Sequence, residues 1–320
     1  LQPEIVIYHP KALAAPSIAE KFGAAPFLAA LQPMFVPTAE FPLPGVPALP
    51  WGGWYNKLTY KSVPLGYRMY AGAINEIREE EMGLPKMANA GDIFHTAAGA
   101  PILILHAFSP TIIPRPGDWP PAAHITGSWF LDNQDDQDDW QPSAALREFL
   151  ATGETPVYIG FGSMAGKDPA RLAAIVVEAV EQAGVRAILA TGWGGLQAGE
   201  LPDSIFVIEK APHDWLFSRV SAVVHHGGAG TTAAGLRAGR PTLVCPFMGD
   251  QPFWGGRVHA LGVGPEPIPQ KKLTAGKLST ALRKLTMEEA LSERAEVTGQ
   301  RMRAEDGVGR AVQIVMKGQQ

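Results

Sequence analysis

The second half of the sequence consists of short, continuous apolar runs separated by segments long enough for a helix or a loop. TPVYIGFGS is one of these runs, and VRAILATG, SIFVIE, SAVVHH and PTLVCPF follow it. Hydrophobicity that does not alternate is typical of strands buried on both faces of a parallel sheet. Because strands and helices alternate, residues 144–300 are predicted to form a doubly wound α/β domain.

The clearest helix of this domain is predicted over residues 168–184, DPARLAAIVVEAVEQAG. Its apolar residues recur at helical spacing. Asp168 suits the N-cap, Pro169 suits the first helical position, and Gly184 suits the C-terminal stop.

Residues 1–130 predict another α/β domain, which is more irregular. EIVIYH, APSIAEKFG and APFLAAL predict a strand, a helix and a strand, and a helix over residues 64–82 and the strand APILILHAF follow. Residues 42–60, rich in proline and aromatic residues, predict loops that line a binding surface. Residues 131–143 are predicted to be an acidic linker, and residues 301–320 a C-terminal helix that packs back toward the first domain.

Composition narrows the classes of function. A net charge of −4 and a pI near 6.1 argue against a nucleic-acid-binding protein, which needs a basic face. The single cysteine, Cys245, excludes an internal disulfide framework and a cysteine-based zinc site. No apolar run approaches the roughly 18–20 residues of a membrane span, and we expect a cytoplasmic protein. The sequence opens in a strand without an initial methionine, so we expect that its natural beginning is missing.

Three glycine-containing loops follow predicted strands: residues 160–168, 191–195 and 225–232, the last with the sequence HHGGAGTT. Ligands of parallel sheets collect at the carboxyl ends of the strands. A helix that starts there offers free N–H groups and the positive end of its dipole, which suits a phosphate. Glycine turns also close βα units without binding anything, and this remains the structural alternative.

Other phosphate and metal sites fit less well. A dinucleotide fingerprint needs G-x-G-x-x-G, but Gly166 comes one residue too late, and no Walker loop occurs. His225 and His226 lack partners at metal-ligand spacing. Neighbours on a strand point to opposite faces, so we expect one of these histidines in the core and the other toward a ligand. The D-x-D at residues 136–138 lies in the acidic linker and is given no role.

Asp250 and Gln251 follow the run PTLVCPF and begin a predicted helix. A carboxylate beside a carboxamide can accept hydrogen bonds from some hydroxyls of a polyol and donate to others. Helix capping by Asp250 is the structural alternative, and it is compatible with sugar binding. A phosphate loop together with a polyol clamp predicts a nucleotide-sugar site.

These segments, GFGSM, ATGWGGL, APHDWLFSRV and HHGGAGTTAAGLRAGRPTLVCPFMGDQPFWGGRV, resemble the family 1 glycosyltransferases of GT-B fold, and within them the sterol glucosyltransferase-like branch. The resemblance implies two Rossmann-like, doubly wound domains that face each other across a cleft, the N-terminal one incomplete in this chain. It also implies an inverting, metal-independent hexosyltransferase that needs no cofactor. The donor would be UDP-glucose or a related nucleotide sugar, and the acceptor a hydroxyl of a lipophilic molecule such as a sterol, terpenoid or polyketide.

The resemblance assigns roles to individual residues of the donor site. His226 would hold the diphosphate with the N–H groups of Gly228, Gly230 and Thr231, while Asp250 and Gln251 would hold the sugar. Ser163 would contact the phosphates or the sugar, Trp193 would stack on uracil, and Ala211 would bind uracil through its backbone.

The acceptor site and the catalytic base are less defined. Aromatic and flexible residues would line the acceptor site, with ordinary core packing as the alternative: Met34, Phe35, Trp51, Trp54 and Tyr55. The resemblance puts the base in a segment that would precede residue 1. His9 aligns with the acid that supports this base, or has a structural role.

Two other functions stay open at this point. One is a nucleotide-sugar-binding protein without catalysis, and the other is a GT-B epimerase, although only Asp250 is well placed among the carboxylates that such chemistry needs. A lipid acceptor would allow peripheral contact with a membrane, but no basic amphipathic helix is evident in the sequence.

Overall fold

The computed structural model describes residues 2–131, 140–162, 168–190 and 201–318. The chain divides into two compact units. The N-terminal unit comprises Leu1–Phe130 and Asp306–Gln320, and the C-terminal unit comprises Leu131–Glu305.

The N-terminal unit contains a four-stranded parallel sheet in the order β1-β2-β3-β4. The strands are Ile5–Tyr8, Ala25–Ala30, Leu103–His106 and Ala123–Ile125. Helix α1 (Ala15–Phe22) connects the first two strands and ends at Gly23, whose φ of 64° is the left-handed conformation that glycine adopts without strain. The strand–helix–strand pattern predicted for this region is confirmed.

Three short helices lie between β2 and β3: α2 (Gly53–Thr59), α3 (Ser62–Arg68) and α4 (Ala71–Glu76), followed by a π-helical turn, Ile77–Glu81. The prediction of loops is confirmed for residues 42–52 and wrong for α2, and the prediction of one helix over residues 64–82 is wrong. Pro64 explains the break after α2, because its ring conflicts with the carbonyl four residues earlier and it has no N–H to donate.

The C-terminal unit contains a five-stranded parallel sheet in the order β7-β6-β5-β8-β9. In chain order its strands β5 to β9 are Val157–Gly160, Ala187–Ala190, Ile205–Ile208, Val223–His225 and Thr242–Val244. Every residue of β5, β8 and β9 is buried, which confirms the inference from continuous hydrophobicity. The helices of this unit are α5 (Ala144–Ala151), α6 (Pro169–Ala183), α7 (His213–Phe217), α8 (Ala229–Arg237), α9 (Gln251–Ala260), α10 (Ala275–Met287) and α11 (Glu289–Arg303).

Both predicted ends of α6 are confirmed. The Asp168 carboxylate accepts a hydrogen bond from the Arg171 backbone N–H at 2.9 Å, and Pro169 takes the first helical position. Gly184 ends the helix with a φ of 69°.

The last helix, α12 (Gly307–Gly318), belongs to the N-terminal unit. Its residues Ala311 and Val315 pack against Phe27 and Leu105 of the sheet. In the part of the chain that the structure describes, no helix combines the length and the apolar character needed to cross a bilayer.

Candidate functional site

The strand order of the C-terminal unit defines where a ligand can approach its sheet. The chain adds β6 and β7 on one side of β5 and then β8 and β9 on the other, so the order reverses between β5 and β8. Gly160, His225 and Val244 lie in register at the carboxyl ends of β5, β8 and β9. The loops that follow these three residues therefore meet at the reversal point, where open α/β sheets bind their ligands.

His225 is the structural member of the histidine pair. It is fully buried, and its Nδ1 accepts a hydrogen bond from the Gly227 backbone N–H at 3.0 Å. Burial lowers its pKa to about 3, and the neighbouring imidazoles of His226 and His213 add to the shift. The ring is therefore neutral and fixes the turn between β8 and α8.

His226 is only partly buried and lies between two glycines. A Cβ on Gly228 would be 2.8 Å from its Nε2, and a Cβ on Gly162 would be 3.3 Å from its Cε1. Burial lowers the pKa of His226, and the Asp250 carboxylate opposes the shift. Its Nδ1 is buried without a hydrogen-bond partner among the described residues, which leaves Nε2 as the nitrogen that a ligand can reach.

Helix α8 begins beside this ring. Gly228 is its N-cap, with no side chain to accept from the first N–H groups of the helix. Gly227, at a φ of 99°, allows the close approach of the turn, since a Cβ there would be 2.6 Å from Val244 Cγ1. Gly230 and Thr231 lie in the first turn and are accessible. The structure thus brings together the predicted phosphate donors at one uncapped helix start.

Asp250 and Gln251 lie at the start of α9, and both have internal partners. Asp250 Oδ2 accepts from the indole N–H of buried Trp254 at 2.8 Å, and its side chain does not cap the helix, so the capping alternative is wrong. The Gln251 carbonyl oxygen accepts from the backbone N–H groups of Phe247 and Met248 at 2.7 and 3.1 Å. Among the described residues, these bonds do not use the other Asp250 oxygen or the Gln251 amide group.

His213, at the start of α7, is a candidate site residue that the sequence analysis missed. Its ring stacks on Phe217 with centroids 4.4 Å apart, and it interacts electrostatically with His225 and His226. Burial lowers its pKa, Asp214 opposes the shift, and His226 adds to it. Only Pro212 separates it from the predicted uracil contact Ala211, which is partly buried. Its distance along the chain from the histidine pair hid the relationship.

Several predictions lie outside the described residues: the roles of Ser163 and Trp193, and the absence of a role for the D-x-D at residues 136–138. Within the described ranges, no group of three or more His, Cys, Asp or Glu side chains is arranged to hold a metal ion.

The N-terminal unit contains a cavity of about 600 Å³ between its sheet and α2 to α4. Met34 and Phe35, two of the five residues predicted to line the acceptor site, line this cavity. Trp51, Trp54 and Tyr55 do not line it and form a separate aromatic cluster, in which the two indole rings stack 6.3 Å apart. The structure therefore does not bring the five predicted acceptor residues together.

The cavity contains one hydrogen-bonded pair that the sequence analysis missed. His95 Nδ1 lies 2.9 Å from Asp92 Oδ2, and both residues line the cavity. The carboxylate favours the proton on Nδ1, so Nε2 is left to accept a hydrogen bond. His9, in contrast, is exposed, and its Nδ1 accepts from the Lys11 backbone N–H at 3.2 Å.

Comparison with known proteins identifies the class of fold. The glycosyltransferase of kitacinnamycin superposes with a TM-score of 0.70 at 21% identity, covering 98% of this chain and 76% of that one. The glycosyltransferase VinC in complex with DTDP gives a TM-score of 0.67 at 20% identity, covering 99% and 72%. With the two parallel sheets, these neighbours define the GT-B glycosyltransferase fold, as predicted.

Sequence comparison is more specific. Residues 168–315 match the family described as erythromycin biosynthesis protein CIII-like, C-terminal domain. Sterol 3-beta-glucosyltransferase UGT80A2 of Arabidopsis thaliana is 39% identical over 288 residues, which are 88% of this chain and 44% of that protein. Sterol 3-beta-glucosyltransferase of Emericella nidulans is 40% identical, over 98% of this chain and 23% of its own length. The chain thus has the GT-B fold, is similar to sterol 3-beta-glucosyltransferases, and spans less than half the length of these curated relatives.

Proposed function

We propose that this chain belongs to an inverting glycosyltransferase that moves a hexose from a UDP-sugar to a hydroxyl of a sterol-like acceptor. The C-terminal unit would bind the donor and the N-terminal unit the acceptor. UDP-glucose is the proposed donor, with neither a metal ion nor a cofactor. The curated relatives support the sugar transferred and the acceptor class.

The observation that carries the proposal is the position of His226 beside the uncapped start of α8. A neutral imidazole donates from Nε2 to a phosphate oxygen, and the free N–H groups of Gly230 and Thr231 donate from the same side. These donors act on the diphosphate, where negative charge builds when the sugar departs. The site therefore suits a leaving group with two phosphates.

The cavity of the N-terminal unit supports a lipophilic acceptor. Its volume of about 600 Å³ and its largely apolar and aromatic lining, including Met34, Phe35 and Tyr67, fit a small apolar molecule. The pair His95 and Asp92 provides a hydrogen-bond acceptor for a hydroxyl. In the proposed reaction this hydroxyl loses its proton to a general base and attacks the anomeric carbon opposite the departing UDP.

Calorimetric titration with UDP, UDP-glucose and dTDP, followed by transfer to a sterol on the same sample, tests the proposal. Binding of UDP that His226→Ala loses supports the donor site, and a β-glycoside product supports the reaction. Binding without transfer would favour a donor-binding protein without catalysis. A change in the sugar of the recovered donor would indicate an epimerase. If no nucleotide binds, the proposed donor site is wrong.

A further inference from the structure

The C-terminal unit contains a pocket of about 480 Å³ whose lining includes three arginines. Arg147 lies on α5, Arg219 follows α7, and Arg240 lies between α8 and β9. Thr155 and Val220, which also line the pocket, precede β5 and β8. The pocket is therefore at the amino ends of these strands, whereas the proposed donor site is at their carboxyl ends. We call it the arginine pocket.

Hydrogen bonds hold two of the guanidinium groups in place. Arg240 donates from Nε to the Phe217 carbonyl at 3.0 Å and from Nη2 to the Ser218 carbonyl at 2.8 Å. Arg219 donates to the Trp215 carbonyl at 2.7 Å and to the Ser218 hydroxyl at 3.1 Å, and its Cζ lies 4.3 Å from the centroid of the Trp215 ring. Ser218 thus joins the two arginines. Each guanidinium has further N–H groups that these bonds do not use, and they can donate to a ligand.

The partners of these arginines position the side chains without neutralising them. Within the described residues, no carboxylate forms an ion pair with Arg147, Arg219 or Arg240. Glu148 and Asp214 are close to them in sequence, but neither lines the pocket. Three positive charges therefore line one concave space of a chain whose net charge is −4. A concave surface lined by charges of one sign attracts ligands of the opposite sign.

We propose that the arginine pocket is a binding site for a small molecule that carries two phosphate groups. Arginine forms paired, charge-assisted hydrogen bonds to phosphate oxygens. A single phosphate group carries at most about two negative charges, so three guanidinium groups are better matched by two phosphate groups. The volume of about 480 Å³ suits a small molecule, and the Thr155 hydroxyl adds a donor. The pocket would bind this anion whether or not the chain transfers a sugar.

Calorimetric titration of the whole chain with inorganic pyrophosphate, without divalent cations, tests the proposal. We expect binding that salt weakens and that is tighter than the binding of inorganic phosphate. Arg147→Gln/Arg219→Gln should bind pyrophosphate at least about tenfold more weakly, because two of the three guanidinium groups are lost. His226→Ala lacks the proposed diphosphate ligand of the donor site and should retain the pyrophosphate binding. Failure of the proposed function would appear in the separate UDP titration and would leave these results unchanged.

Lys277→Gln/Arg301→Gln is the matched control, because it removes two exposed positive charges of the same unit that do not line the pocket, and it should bind pyrophosphate like the wild type. Arg147→Gln alone keeps the test decisive if the double variant does not fold. Arg147 is exposed and donates only to the Gln141 side chain, at 3.4 Å, so this variant should fold normally and still bind pyrophosphate several-fold more weakly.

Three results would overturn the proposal. The first is wild-type protein that does not bind pyrophosphate. The second is equal weakening by the pocket variants and the control, because the anion would then respond to net charge alone. The third is loss of all pyrophosphate binding in His226→Ala, because the anion would then occupy the donor site.

Discussion

The His226 ring lies directly against Gly228, at a distance where a methyl group on Gly228 would be 2.8 Å from Nε2. The backbone does not require glycine at this position, because its φ of −62° and ψ of 141° suit any residue. Space for the imidazole, and not backbone conformation, therefore explains the glycine. Gly228, in the predicted phosphate loop, thus contacts His226, the residue predicted to bind the diphosphate.

Gly228→Ala should weaken UDP binding by about tenfold or more, because the new methyl group displaces the His226 ring from its place beside α8. Loss of the glycine cap costs at most about 1 kcal/mol of stability. Titration calorimetry and thermal unfolding measure the two effects separately. Gly228→Ser provides the decisive comparison: its hydroxyl caps the helix, but its Cβ displaces the ring as alanine does. If Gly228→Ser binds UDP normally, the steric argument is wrong.

His226→Ala and His225→Ala should have opposite consequences. His226 is partly exposed, and its ring makes no hydrogen bond to the described residues. Its removal should therefore spare the melting temperature and reduce turnover roughly 30- to 1,000-fold, or about 2–4 kcal/mol of transition-state stabilisation. His225 is fully buried and holds the Gly227 N–H, so its removal should cost about 2–4 kcal/mol of folding stability. Equal effects of the two variants on stability would contradict this division.

Two substitutions of Gln251 should separate its structural role from its predicted role in sugar binding. Gln251→Leu leaves the N–H groups of Phe247 and Met248 without their acceptor and should cost about 2–4 kcal/mol of stability. Gln251→Glu keeps an accepting oxygen but has no amide N–H to donate to a sugar hydroxyl. It should fold normally, bind UDP like the wild type and bind UDP-glucose more weakly. Unchanged UDP-glucose affinity in Gln251→Glu would remove this residue from the sugar site.

Parts of the fold were predictable because local sequence fixes them. The α6 caps depend on residues within one helical turn, and the full burial of β5, β8 and β9 follows from their continuous apolar character. His225 is the last residue of β8, which is buried on both faces, whereas His226 lies just beyond the strand and is only partly buried. These features need no knowledge of distant contacts.

Other parts depend on contacts between distant residues. Helix α2 begins at Gly53, directly after Gly52, and its residues are poor helix formers, so tertiary contacts such as Gly53 against Ala39 were needed to define it. The bonds from the Phe247 and Met248 N–H groups to the Gln251 oxygen are local, but no sequence pattern indicates them. His213 interacts with the histidine pair only in the folded chain, since 12 positions of sequence separate it from His225. Trp51 and Trp54 looked like cavity residues because aromatic composition cannot distinguish a cavity wall from an exposed surface.

The folding stability of both units should fall as the pH decreases below 6.5. His106 in the N-terminal unit and His225 in the C-terminal unit are buried, and burial lowers the pKa of each from 6.5 to about 3. Between these values the unfolded chain binds a proton that the folded chain does not, so the free energy of unfolding decreases as pH falls and is constant above this range. Each histidine contributes a slope of about 1.4 kcal/mol per pH unit.

Denaturant unfolding of the wild type and His225→Asn across this range measures the effect. The asparagine oxygen can replace Nδ1 as acceptor for the Gly227 N–H, so the variant keeps the hydrogen bond and loses the titrating group. The stability of its C-terminal unit should depend less on pH, by about one proton. An unchanged slope would mean that His225 does not remain neutral in the fold.

The cavity of the N-terminal unit can be tested with two alanines of the same short helix. Ala71 lines the cavity, whereas Ala73 is exposed and does not. Ala71→Phe fills part of the space of about 600 Å³ and should raise the KM for a sterol acceptor at least about tenfold, because an occupied cavity no longer admits the rigid ligand. Ala73→Phe should leave this KM unchanged, and both variants should bind UDP like the wild type. A similar KM for both variants would place the acceptor outside this cavity.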